Sequence, residues 1–175
     1  MSAAAAVTDS HVLTLEEIGN LTQGGGPPAE TLMNVVALIA RRFQTEVCSA
    51  YLLEPDRANL VLAATVGLRK ECIGVLRLGL HEGLAGLVAE EVRAVAVHQV
   101  NTHPRFKYFG EAGEENFQSF LGVPVIERGI LQGVLVVQTI EPRAFNTEEI
   151  RMLTEAATEV SPVIGEARNL SLIHI

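Results

Sequence analysis

The stretch Ser119–Ile140, SFLGVPVIERGILQGVLVVQTI, reads as two strands placed back to back. Aliphatic and β-branched residues fill Ser119–Glu127 and Leu131–Ile140, and Arg128-Gly129-Ile130 between them supplies the turn of a hairpin. A second pair lies upstream. Glu46–Leu53 (EVCSAYLL) and Leu60–Val66 (LVLAATV) flank the turn-rich Glu54-Pro55-Asp56-Arg57-Ala58-Asn59, and so short a connection joins antiparallel neighbours. Val75–Leu78 and Ala94–His98 add two shorter strands, for six in all.

Helices bracket these strands. Thr14 with Glu17 has the spacing of a capping box, and Leu13 with Ile18 forms the matching hydrophobic staple, so a first helix is expected from Leu13 to about Gln23. Gly24-Gly25-Gly26-Pro27-Pro28 breaks it, with a proline well placed to start the next helix. There Leu32, Val35, Val36, Ile39 and Phe43 recur three and four residues apart, with Glu30, Arg41 and Arg42 off that face. Arg69–Gly74 is expected to form one helical turn, and Leu84, Leu87 and Val88 mark a short helix opened by Gly83. Asn146 and Glu149 make a second capping box, stapled by Phe145 and Ile150, before Ile150, Leu153, Ala157, Val160, Ile164 and Ala167 line one face of the last helix. Pro162 is expected to kink that helix, because it has no N–H for the carbonyl of Thr158.

Hairpin-joined strands with helices at both ends imply an α+β fold. An antiparallel sheet carries the N- and C-terminal helices on one face and the mid-chain helix with the Gln99–Gln118 loop on the other. A pocket is expected on the loop side, since a connection of that length in a compact domain is usually functional. The apolar stripe of the last helix has two readings, packing on the sheet or a dimer seam, and a homodimer through the terminal helices is the expectation.

With 175 residues the chain suffices for one domain. Its net charge of −8 repels phosphate backbones and anionic lipid heads, so neither nucleic acid nor membrane is an expected partner. No apolar run is long enough to span a bilayer and no secretion signal opens the chain, so a cytoplasmic location is expected. Cys48 and Cys72 form no CxxC pair and no zinc-spaced cluster accompanies them; no metal or cofactor is expected.

The same order of elements, with "EVCSAYLLEPDRANLVLAATVGL", "LGLHEGLAGLVAEE" and "SFLGVPVIERGILQGVLVVQ" in sequence, resembles the GAF family from about Leu13 to Arg168. Within it, "TEVCSAYLL", "GLHEGLAGLVAE", "HPRFKYFGEAGEENFQSFLGVPV" and "GVLVVQ" are most similar to the N-terminal regulatory domain of nitrogen-type phosphoenolpyruvate–protein phosphotransferases. That resemblance implies a GAF-like six-stranded sheet and a non-catalytic sensor of nitrogen metabolites such as glutamine and 2-oxoglutarate, with its output domain beyond Asn169. The expected layout is a disordered segment 1–12, a GAF domain 13–169 and a tail 170–175. The tail, LSLIHI, is similar to a translated transposase adapter and is expected to be non-native, the alternative being a natural hydrophobic end.

No catalytic group is expected. Ser49 and Ser119 fall in strand patterns rather than in a strained Gly-x-Ser-x-Gly elbow, His98 and His103 have no third orienting group, and Gly83-x-x-Gly86 lacks the Lys and Ser/Thr of a phosphate loop. The cysteine pattern of the free methionine sulfoxide reductases within the GAF family is not matched, though a redox enzyme using Cys48 and Cys72 is one alternative function; a ligand-free dimerisation module is another. The expected ligand site is the long loop. Arg105, Phe106, Tyr108 and Phe109 combine cationic donors with aromatic faces suited to a small carboxylate or amide, Glu115 offers an acceptor, and Phe117 and His98 complete the set. The alternative is that Phe106, Phe109 and Phe117 plug the sheet while Arg105 and Lys107 stay solvated.

Overall fold

The computed structural model describes residues 16–107 and 117–173, the last three as backbone only. Helix α1 covers residues 16–23, and the N-terminal capping box at Thr14, the staple residue Leu13 and the segment 1–12 lie outside the described residues. The chain continues through α2 (Pro28–Phe43), β1 (Val47–Leu53), β2 (Asn59–Val66), a 3-10 turn at Lys70–Cys72, β3 (Arg77–Gly79) and α3 (Gly83–Glu91). It then forms β4 (Val95–Val97), a second 3-10 turn at Val100–Thr102, β5 (Ser119–Glu127), β6 (Ile130–Thr139) and α4 (Thr147–Ile173).

The six strands make one sheet in the order β3-β2-β1-β6-β5-β4, with every pairing antiparallel. Side chains alternate across it. Cys48, Ala50, Leu52, Leu121, Val123, Leu135 and Val137 meet Ile18, the apolar face of α2 and that of α4 in one core. Val47, Tyr51, Leu60, Leu62, Phe120, Val134 and Val136 meet Leu84, Leu87 and Val88 of α3 in the other. The α+β architecture is therefore the one read from the sequence, terminal helices on one face and α3 on the other.

Most strand ends differ from the sequence reading by one residue, and two of the differences have a clear local cause. The β5–β6 turn has two residues, not three: Arg128 and Gly129 both adopt positive φ, 53° and 78°, and Ile130 already pairs with Glu127. Two left-handed residues in succession match the twist of the flanking strands, whereas a right-handed turn would splay them. The third strand starts at Arg77, because the Val75 and Leu76 amides donate to the Cys72 carbonyl (3.0 and 2.8 Å) and close a turn there.

The capping box at α4 forms as expected, with Glu149 N–H donating to Asn146 Oδ1 (2.8 Å) and Asn146 N–H to Glu149 Oε1 (3.0 Å). Helix α4 runs unbroken through Pro162. The Thr158 carbonyl, which a proline cannot serve, accepts a hydrogen bond from Ser161 Oγ at 2.9 Å instead. Leu153, Ala157, Val160 and Ile164 are buried against the sheet and α2, so the stripe that suggested a dimer seam is occupied within one chain. A homodimer through the terminal helices has to use outward positions such as Asn34, Ala37 and Arg41 of α2. No helix among the described residues is long and apolar enough to cross a membrane.

Candidate functional site

Between the sheet and α3 lies a small cavity. Its floor is Tyr51 on β1, Val136 and Gln138 on β6 and Phe120 on β5; Leu84 and Ala85 of α3 form a wall, and Phe106 with Lys107 closes it from the loop. The alternation of β6 explains Gln138, since Val134, Val136 and Gln138 share one face and Gln138 stays 7% exposed at the end of that apolar row. A buried carboxamide brings both a donor and an acceptor to an otherwise apolar wall. Deeper on the same face, Ser49 and Thr65 are fully buried and satisfy one another through their hydroxyls at 2.9 Å.

The cavity is narrow. Its volume of about 30 Å³ is room for roughly one water molecule. The half-buried Phe106 ring fills the space a ligand would need, and Phe117 packs against the same cluster. These two aromatics therefore pack against the α3-side core, while Phe109 lies outside the described residues.

The cations beside them are ion-paired. Arg105 Nη1 donates to Glu90 Oε1 (3.1 Å) and Nη2 to the Leu80 carbonyl (2.9 Å), while Lys107 Nζ pairs with Glu82. Glu82 is the N-cap residue of α3 and Glu90 lies in its last turn, so residues 103–107 are strapped across that helix by a charge pair near each of its ends. The Lys107 ammonium, followed by the Gly79 amide, holds the Glu82 carboxyl below the usual carboxylate range. Arg105, aided by His81, does the same for Glu90. A close approach of backbones supports the strap: a Cβ at Gly86 would fall 2.5 Å from the Gly79 carbonyl oxygen, so only glycine lets α3 lie against β3 here.

Of the other expected residues, His98 is exposed at the end of β4, and its carbonyl, not its ring, is engaged, accepting from Ser119 Oγ at 2.5 Å. Tyr108, Phe109 and Glu115 lie outside the described residues. Reading by loop composition missed Tyr51, Phe120 and Gln138, and the one usable signal was Gln138 as an amide directly after the apolar run Val134–Val137 of β6. It also missed Glu82 and Glu90 as partners of the loop cations.

Redox chemistry finds no pair. Cys48 is buried in the core under α2 and α4, where burial pushes its thiol far up, whereas Cys72 packs on the α3 side of the sheet. Among the described residues no group of three His, Cys, Asp or Glu side chains is placed to hold a metal ion.

Comparison with known proteins accords with this geometry. The GAF domain family model matches residues 27–164. A curated protein of Escherichia coli K12, described as "Phosphoenolpyruvate-dependent phosphotransferase system", is 38% identical over 143 residues, which is 82% of this chain and 19% of that protein. The chain thus spans about a fifth of that relative's length. The solved GAF domain from a phosphoenolpyruvate-protein phosphotransferase of Coxiella burnetii superposes with a TM-score of 0.84 at 30% identity, covering 98% of this chain and 99% of that one. The free methionine-R-sulfoxide reductase of Neisseria meningitidis, solved with its substrate, shares the fold at a TM-score of 0.80 and 22% identity, with 97% and 95% of the two chains covered.

Proposed function

The chain belongs to the GAF family, and we propose that it is a small-molecule-sensing regulatory domain adjusting a phosphoenolpyruvate–protein phosphotransferase to nitrogen metabolites, glutamine and 2-oxoglutarate first among them. The observation that carries this reading is the Gln138 carboxamide at the wall of the cavity under the strapped loop. The similarity to phosphotransferase relatives supports the choice of output, which is a phosphotransfer domain outside this chain.

In this mechanism the ligand displaces the Phe106 ring and takes its place over Tyr51. Gln138 hydrogen-bonds a ligand amide or carboxylate, and an anionic ligand competes with Glu82 for Lys107. Both exchanges move residues 103–107 relative to α3. The signal is then a difference in ligand affinity between strapped and displaced states, which is the whole of what a ligand can contribute to a conformational equilibrium.

Titration calorimetry of the protein with glutamine, 2-oxoglutarate and cyclic nucleotides tests the proposal. Saturable binding of glutamine or 2-oxoglutarate, abolished by Gln138→Leu in a variant of unchanged fold, is the expected result. Heat from none of these ligands, or full binding by Gln138→Leu, would sink it.

A further inference from the structure

A larger cavity opens on the other side of the molecule. It lies between the start of α2, the β1–β2 hairpin, the turn before β3 and the last turns of α4, and its volume is about 290 Å³. Its walls are apolar, formed chiefly by Leu32, Leu52, Val61, Ala63, Ile73 and Ala167, and it shares no residue with the cavity under α3. At roughly 30 Å³ per water-sized group, it has room for about ten non-hydrogen atoms.

Arg168 stands at the rim of this groove. Its Nε donates to the Leu53 carbonyl (2.6 Å) and its Nη1 to Gln132 Oε1 (3.4 Å), so the guanidinium is held in place by neutral acceptors. Among the described residues it forms no ion pair. The charged group that acts on it is another cation, Arg57 of the β1–β2 turn, and burial together with Arg57 pushes its pKa down. The nearby carboxylates are engaged elsewhere: Glu54 accepts Arg77 Nε through both oxygens at 3.0 Å, and Asp56 caps its own turn through Ala58 N, Asn59 N and Asn59 Nδ2. Among the lining residues Arg77 and Arg168 are cations and Glu54 is a carboxylate already taken by Arg77, so the groove's rim is net positive in a chain whose net charge is −8. A guanidinium fixed by neutral acceptors, with its charge uncompensated, is suited to a carboxylate.

We propose that this groove is a second ligand site, for a soluble medium-chain carboxylate whose apolar body lies along Leu32, Val61 and Ile73 and whose head group meets Arg168. Octanoate, with ten non-hydrogen atoms, is the matching probe, and its charge complements the rim. The site sits where α4 leaves the sheet, so its occupancy bears on the end of the domain opposite the strapped loop.

Methyl and amide NMR of the whole chain during octanoate titration tests this directly. Saturable shifts are expected at Leu53, Ala63, Ile73 and the Arg168 Nε–H, with none at Gln138 or Phe106. Arg168→Gln should weaken binding about tenfold or more, Arg168→Lys should recover part of the loss, and octyltrimethylammonium, with the same body and the opposite charge, should not bind. Ala167→Leu, which narrows the groove and leaves the charge alone, should also abolish binding. Undiminished binding by Arg168→Gln, or shifts centred on Gln138, would overturn the proposal. So would a dimer in light scattering that Arg168→Glu dissociates while octanoate fails to bind, since the groove would then be covered by a second copy.

Discussion

The carbonyl oxygen of Tyr51 occupies the place where a side chain at residue 133 would have to begin: a Cβ built on Gly133 falls 2.0 Å from it. Strands β1 and β6 are pressed together at this point in the centre of the sheet, and the Tyr51 ring projects from it into the cavity floor. The obstructing atom is backbone, which cannot swing aside. Gly133→Ala is therefore expected to destabilise the domain by about 1–3 kcal/mol, as overpacking does, and a urea melt monitored by circular dichroism checks it. An unchanged midpoint would mean that the two strands have slack.

The cap of α4 is a separable contribution. Asn146 Oδ1 serves the Glu149 amide and Glu149 serves Asn146 in return, at an exposed helix start. Asn146→Ala should cost about 1 kcal/mol and lower the melting temperature by a few degrees, without altering the sheet. Thermal unfolding of the single variant measures it.

Much of the fold was legible because it rests on short-range rules. The α4 cap, the α2 stripe and the apolar runs of β5 and β6 each follow from residues a few positions apart, and all appear within a residue of where the sequence put them. The site was legible only in part. Phe106 and Phe117 announce themselves as aromatics in a polar loop, but whether they receive a ligand or plug the sheet depends on the space beneath them. Arg105 and Lys107 read as free donors because their partners, Glu90 and Glu82, sit 15 and 25 residues away on α3. Long-range charge pairing leaves no periodic trace in a sequence, and neither does the convergence of Tyr51 and Gln138 from separate strands.

Those two pairs define the strap over α3. Glu82→Gln with Glu90→Gln removes both anchors while keeping the side-chain shapes, so amide exchange at Phe106, whose N–H donates to the His103 carbonyl, should accelerate a few-fold. Exchange in β5 and β6 should not change. Equal rates at Phe106 in the variant and the parent would show that packing of its ring alone holds the segment.

The same anchors carry a pH dependence with a definite sign. Both carboxyls have folded-state pKa values below their ordinary value of 4.5, so their contribution is fully present above that value and is lost as pH falls through the depressed folded values. Exchange at Phe106 should be insensitive to strap loosening from pH 8 to 5, after correction for intrinsic rates, and should rise only below about pH 4.5. Loosening centred near neutrality would assign control to another group.

Thiol chemistry distinguishes the two cysteines. Cys48 is fully buried with its thiol pushed far up, and Cys72 is half-buried on the other side of the sheet. Iodoacetamide should label Cys72 in the native protein and reach Cys48 only on unfolding, and mild oxidants should yield no disulfide within the chain. Mass spectrometry of the labelled peptides reads both outcomes; an internal Cys48–Cys72 bridge would contradict the placement of the two residues.

Helix α4 is 27 residues long, about 40 Å, and from Ile150 to Ala167 it is keyed into the sheet along one side. At Pro162 the Ser161 hydroxyl supplies the donor that the proline withholds from the Thr158 carbonyl, so the helix continues through that position with this carbonyl paired. A rod bedded in this way cannot spin about its axis without tearing Leu153, Val160 and Ile164 from their seats. Whatever reaches its far end from the sheet must arrive as a lever arm's swing, in which a small change of slope at β5 and β6 becomes a larger sideways travel at Arg168 and beyond.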